Sequence, residues 1–193
     1  MEGIPASHAL HEVQGQRRAS LKAIVQLAER LARSRRAILL LSLSLLSLDQ
    51  ASKWWVVTYL DGRPPIAVIG DLLRFNHTTN SGAAFNIGSN FTIFLTVFAL
   101  IVTTGLIIFA RKVADLRWAI GFGVLLGGVL GNLTDRIFRE PQFLHGHVVD
   151  FIQLPNWPIF NVADIAITCS GFWIAYLLLR DIKPFATFGD DDE

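Results

Sequence analysis

A small set of polar and charged side chains interrupts the long apolar runs of this chain. Asp49 and Lys53 are four residues apart, on one face if their segment is helical, where they can pair. Asn132, Asp135 and Arg136 fall within about one helical turn, and Asn161 and Asp164 are three apart. Asp150 stands inside an apolar run, Val148-Val149-Asp150-Phe151-Ile152. A charge in the middle of a membrane-spanning helix costs about 2.5–3.5 kcal/mol, so such residues need a reason to be there. One reason is an internal ion pair that holds a helix bundle together. Another is hydrolysis, in which one carboxylate takes a proton from water and a second gives one to a leaving amine. A proton path or small transporter would draw on the same residue types.

The elements that must position these groups are apolar and long. Of 193 residues, 52% are hydrophobic and 17% charged, which is more apolar than a water-soluble domain of this length requires. Four stretches approach the roughly 20 residues needed to cross a hydrocarbon core. They cover about 37–60, 91–110, 118–138 and 162–179. Lys and Arg gather before the first (Arg30, Arg33, Arg35, Arg36), between the second and third (Arg111, Lys112, Arg117) and after the fourth (Arg180, Lys183). The positive-inside rule then puts both termini in the cytoplasm and the two longer loops outside. In that topology the polar residues named above collect near the outer membrane surface. Chemistry at that surface explains such a collection better than transport, which would spread polar groups through the membrane depth.

The flanks are of a different character. Residues 1–36 form a polar extension in which Leu21, Ile24, Val25, Ala28 and Leu31 recur at helical spacing opposite Arg17, Arg18, Lys22, Arg30 and Arg33. This is the pattern of a basic amphipathic helix on anionic lipid, or equally of a loosely ordered leader with helical propensity. A cleaved secretory signal is disfavoured, because apolar residues resume at Trp54 with no clean small-residue cleavage site. Residues 183–193 make an acidic tail on the same side. Gly123, Gly127 and Gly131 form a four-residue ridge suited to close helix approach. Asn80-Ser81-Gly82-Ala83-Ala84-Phe85 reads as a tight turn or as part of a substrate groove. The single cysteine, Cys169, excludes an internal disulfide, and His145 with His147 lacks a third ligand for zinc. The net charge of +1 gives no bias toward nucleic acid.

Five blocks together resemble signal peptidase II, the bacterial lipoprotein signal peptidase. They are Asp49-Gln50-x-x-Lys53; Asn80-x-Gly82-Ala83-Ala84-Phe85; Gly128-x-x-Gly131-Asn132-x-x-Asp135-Arg136; Val149-Asp150-Phe151; and Phe160-Asn161-x-Ala163-Asp164. The resemblance covers about residues 37–182 and keeps the family's order. It implies an all-α membrane protein, a four-transmembrane-helix bundle with a small extracytoplasmic β-cradle and a short outer helix. The cradle is expected at Ile66–Phe75 and Val148–Ile152, where β-branched residues are frequent.

The resemblance also implies an aspartic endopeptidase of the bacterial inner membrane. Its substrates would be diacylglyceryl-modified prolipoproteins, cut just before the lipid-bearing cysteine, with membrane lipid around it and no cofactor or metal. Asp150 and Asp164 match the family's catalytic pair. Asp49, Lys53, Asn80, Gly82, Asn132, Arg136 and Asn161 match positions that support the pair or the substrate. Asp135 is a rival for the pair, but Arg136 beside it suggests an ion-paired structural role. A Ser/Lys mechanism would need Lys53 with Ser52 or Ser81. Two departures from the family pattern stand out: the long N-terminal extension, and a lengthened segment Phe138–His147 before Asp150.

Overall fold

The computed structural model describes residues 6–82 and 90–185 of the chain. The first helix, α1, runs from Ala6 to Leu60. The expected amphipathic segment and the expected first span are therefore one continuous helix, and no break marks residue 36. At about 1.5 Å per residue this rod is about 80 Å long, well beyond a membrane's thickness. Leu21, Ile24 and Val25 lie open on it. Farther along, Ser34 Oγ donates to the Ala114 carbonyl at 3.1 Å and Arg35 Nη2 to the Arg111 carbonyl at 2.7 Å.

The remaining helices are α2 (Asn90–Ala110), α3 (Leu116–Phe138) and α4 (Val162–Leu179). These three are long and apolar enough to cross a membrane, and the fourth ends where the sequence placed it. The C-terminal part of α1 carries Asp49, Gln50 and Lys53, which dilute its apolar character. Asp115 caps α3 by accepting hydrogen bonds from the Arg117 and Trp118 amides at 2.8 and 3.3 Å. α4 opens with a capping box in which Asn161 and Asp164 satisfy each other's backbone amides.

Helix α3 is the centre of the bundle and packs most extensively against α1 and α4. A Cβ added at Gly123 would lie 3.1 Å from Ile38 Cα, and one at Gly127 would lie 2.9 Å from the Ser42 carbonyl oxygen. The glycine ridge is thus spent inside the chain, bringing the α1 and α3 backbones together. Toward one end, Ile38, Val113, Trp118, Ala119, Leu126 and Leu177 make one buried apolar cluster. Around α2, by contrast, most large apolar side chains face outward, Phe94, Phe98, Ile101 and Ile108 among them. That is the surface a hydrocarbon solvent would wet.

At the other end sits a three-stranded antiparallel sheet in the order β1 (Ile66–Ile69), β2 (Leu73–Asn80) and β3 (Val148–Gln153). The strands fall where the cradle was expected, with β2 extending five residues further to Asn80. Thr78 pairs with Asp150 and Asn80 with Val148, after an irregularity between Phe75 and Thr78. Phe75 meets Trp55 and Phe151 edge-on, at ring centroid distances of 6.0 and 5.8 Å, docking the sheet on α1. Val56, Leu60, Val149 and Phe151 fill the space between. The short outer helix and Ala83–Phe85 of the second motif lie outside the described residues.

Gly127→Ala is expected to lower stability by about 1–3 kcal/mol, because neither backbone can yield. Gly171→Ala, where an added Cβ meets nothing within 4 Å, should leave the unfolding midpoint in detergent unchanged or raised. Equal midpoints for the two variants would refute the close-approach account.

Candidate active site

The site is assembled where α1, α3, β2, β3 and the start of α4 meet. Lys53 lies at its base, fully buried, as are Asp49 and Asp135. Its ammonium contacts Asp49 Oδ2 at 2.8 Å, Asp135 Oδ2 at 2.9 Å and Asn132 Oδ1 at 3.0 Å. An ammonium has three donors and no acceptor, so Lys53 is saturated. A charged, saturated Lys53 has no lone pair with which to activate a serine, and Ser52 Oγ instead donates to the Asp49 carbonyl at 2.7 Å.

From this base the polar contacts propagate with a defined sense. Only the oxygen of the Asn132 amide can face an ammonium, so its nitrogen is turned outward and donates to Asp164 Oδ1 at 2.8 Å. Asn161 is set by its own backbone role. Its Oδ1 accepts the Asp164 amide at 2.9 Å, so its Nδ2 donates to Asp150 Oδ1 at 2.6 Å and to Asn132 Oδ1 at 3.1 Å. Phe160, bridged antiparallel to Ile152, holds this helix start beside β3. Across the sheet, Asn80 Oδ1 accepts the Gly82 amide at 2.8 Å, leaving its Nδ2 to donate to Asp150 Oδ2 at 3.0 Å. Gly82 closes that turn at φ 82°, in the region glycine favours.

Counting lone pairs separates the four carboxylates, each of which offers about four acceptor positions when ionised. Asp135 fills all four, from Arg139 Nε (2.6 Å), Gln50 Nε2 (3.1 Å), Lys53 Nζ (2.9 Å) and the Val149 amide (3.1 Å). Asp49 accepts from the Ala163 amide (2.9 Å) and Lys53 (2.8 Å), and takes a share at 3.2 Å of the two Gln50 N–H donors, which also reach Asp135 and the Gly131 carbonyl. Asp150 accepts two, from Asn161 and Asn80, and Asp164 accepts two, from Asn132 and the Asn161 amide at 3.1 Å. Asp150 and Asp164 thus each keep about two acceptor positions open, whereas Asp135 keeps none. Burial pushes the Asp150 carboxyl up to about 6; the Asn80 hydrogen bond opposes this and the nearby Asp164 charge adds to it.

The residues expected at the site thus converge, with one regrouping. Asp135 pairs with Lys53 and Arg139 rather than with its neighbour Arg136, because successive helical residues point about 100° apart while i and i+4 align. Arg136 is half-buried, and its Nη1 is buried without a hydrogen-bond partner among the described residues. Gln50 was part of a recognised block but not a predicted site residue; it bridges Asp49, the Gly131 carbonyl and Asp135. Arg139 lies in the lengthened segment, and the sequence signal for its contact is its i+4 spacing from Asp135. Gly131 completes the base: a Cβ there would lie 2.6 Å from Asp49 Oδ2.

The family model described as signal peptidase (SPase) II matches residues 41–180. The chain belongs to the signal peptidase II family. It is 47% identical over 159 residues to a lipoprotein signal peptidase of Streptomyces griseus, covering 81% of each chain. It is also 47% identical to one of Streptomyces coelicolor, covering 84% of this chain and 81% of that protein. Among solved structures it is similar to a bacterial membrane enzyme determined by the in meso method at 1.9 Å. That likeness has a TM-score of 0.67 and 31% identity, over 75% of this chain and 93% of the other. All the polar contacts of the site fall inside the region that the signal peptidase II family model covers.

The causes of the Asp150 shift give a signed expectation. Asp164→Asn removes a like charge and should lower the pH at which Asp150 ionises, while Asn80→Ala removes a stabilising donor and should raise it. Below its ordinary value near 3.8, Asp150 is protonated whether folded or unfolded, and its contribution to stability is fully present. That contribution is lost as pH rises through about 6. Infrared difference spectra of the protonated carboxyl band against pH check both shifts, and opposite signs would refute the assigned causes.

Proposed function

We propose that this chain removes the signal peptide from prolipoproteins by cutting just before the diacylglyceryl-modified cysteine, with Asp150 and Asp164 as the catalytic pair. The observation that supports the assignment of the pair is what each carboxylate is bonded to. Of the four carboxylates gathered at the site, Asp49 and Asp135 are committed to Lys53, whereas Asp150 and Asp164 are held by amides alone, with Asn161 donating to both. Membership of an aspartic peptidase family supports the reaction class.

Two carboxylates close together cannot both ionise freely. At about 5 Å and an effective dielectric of about 20, their repulsion is about 3 kcal/mol, a pKa splitting of about two. One proton is then held between them, and the pair titrates as a unit in which neither residue alone is the acid. The ionised member takes a proton from water as its oxygen attacks the scissile carbonyl carbon. The protonated member first hydrogen-bonds the carbonyl oxygen, and a proton is then delivered to the departing amide nitrogen as the C–N bond breaks. The products are a carboxylate on the signal peptide and a free amine on the lipid-bearing cysteine. Arg136 Nη1 suits a substrate carbonyl near the cut, and the Asn80–Gly82 turn suits the side wall of the groove. The chemistry needs no cofactor or metal, only water and the two carboxyls.

The membrane arrangement belongs to the same proposal. The Ala37–Leu60 portion of α1 serves as a fourth span, its polar residues turned inward onto α3 and α4. Both termini then face the cytoplasm, with residues 1–36 as a basic extension, 37–182 as the peptidase core and 183–193 as an acidic tail. The dyad and sheet face the outer side of the bacterial inner membrane. There the lipid chains of the substrate can stay in hydrocarbon while water reaches the bond.

Asp150→Asn and Asp164→Asn are each expected to lower cleavage of a lipid-modified prolipoprotein by at least a thousandfold while still inserting and folding. Signal-peptide release followed on a gel checks this. Cleavage near the wild-type rate by either variant would sink the pair, and an inactive wild type on a verified substrate would sink the peptidase reading.

A further inference from the structure

The Phe138–His147 segment brings one residue into the polar core. Arg139 Nε lies 2.6 Å from Asp135 Oδ1, while Asp135 Oδ2 meets Lys53. Without Arg139, Asp49 and Asp135 would share a single cation in direct contact, Lys53, with Arg136 acting on Asp135 only without contact. With Arg139 each carboxylate has a contacting cation, and Asp135 has two. The Arg139 side chain is only 28% exposed, and its open side borders a cavity of about 540 Å³ shared with His77, Phe138, Glu140 and His147. The guanidinium therefore stays hydrated on one side while it neutralises a carboxylate that is wholly dry.

We propose that Arg139 is a positioning residue for peptide-bond hydrolysis, holding Asp135 so that Lys53 can keep the Asn132 amide turned toward Asp164. The inference rests on the peptidase reading above. An ammonium is attracted by Coulomb's law to the full charge of a carboxylate more strongly than to the partial charge of an amide oxygen. An under-compensated Asp135 would therefore draw the Lys53 ammonium away from its weakest partner, the Asn132 carbonyl at 3.0 Å. Once that contact is gone, the Asn132 amide is held in its orientation only by the neutral Asn161 Nδ2 at 3.1 Å, and the hold on which end faces Asp164 is weakened. A turned amide would aim its oxygen at a carboxylate. Arg139 touches neither aspartate of the pair, so the cost falls on the chemical step and not on substrate capture.

The test compares wild type, Arg139→Gln and Arg139→Lys in detergent–lipid micelles, with kcat and KM measured per mole of folded enzyme on one lipid-modified prolipoprotein. Arg139→Gln is expected to lower kcat about tenfold with KM within twofold of wild type. Arg139→Lys, which keeps a cation within i+4 reach of Asp135, should recover most of that loss. An unchanged kcat in Arg139→Gln would overturn the proposal. A raised KM at constant kcat would overturn it in favour of direct substrate contact. Equal losses in both variants, tracking a fall in folded protein, would reduce Arg139 to a structural residue. Asp150→Asn, run alongside, separates the failures: if it cleaves, or if wild type does not, the reading beneath this inference fails with it.

Discussion

The structure depends on one ammonium group with no water around it. Stripping a lysine of its hydration costs several kcal/mol even after relaxation, and only close oxygens can offset that. Lys53 finds them on its own helix and on α3, and Asp49, one of its partners, reaches on to the first turn of α4 through the Ala163 amide. Three helices are therefore tied by a few atoms at one depth, and glycines at 127, 128 and 131 bring the backbones near enough for the tie to form. In hydrocarbon there is no hydrophobic gain from joining helices, so close packing and polar contacts must supply it.

The same atoms set the direction of every hydrogen bond above them. An amide side chain can point either way, and in most proteins its orientation is a matter of local preference. Here the Asn132 oxygen must face Lys53, the Asn161 oxygen must cap α4, and the Asn80 oxygen must close a turn. Each is constrained at one end by a donor that cannot accept, so each presents N–H at the other end, to Asp164 or Asp150. The aspartates receive pre-aimed donors without the donors having to reorganise during reaction, which is the electrostatic economy expected of an active site.

Much of this was legible in the residues. Apolar runs gave the helices α2 to α4 within two residues at each end, because only continuous helices satisfy the backbone in hydrocarbon. The strands at Ile66 and Val148 were expected from the family resemblance, and the β-branched residues there supported their placement. The grouping of polar residues at one depth followed from topology alone. What pattern-reading missed has physical causes. The pairing of Asp135 was misread because adjacency in sequence was weighed above alignment on a helix face. The role of Gln50 depends on atoms from two helices, which no local spacing encodes. The extent of α1 exceeded expectation because the amphipathic period and the apolar run are in phase, with neither glycine nor proline between Arg17 and Leu60 to break them.

The fit of Gly131 against Asp49 also constrains how such a sequence can drift. A methyl at 131 would occupy the space of a carboxylate oxygen 82 residues away in the chain, and no rotamer change on the alanine side relieves that. The coupling has a direction: a side chain at 131 could be accommodated only after Asp49 had retreated. Yet retreat at position 49 strands a buried cation. Sequence change is thereby channelled away from the base of the site and into the parts that touch it from one side only, such as the length of the segment between Phe138 and His147.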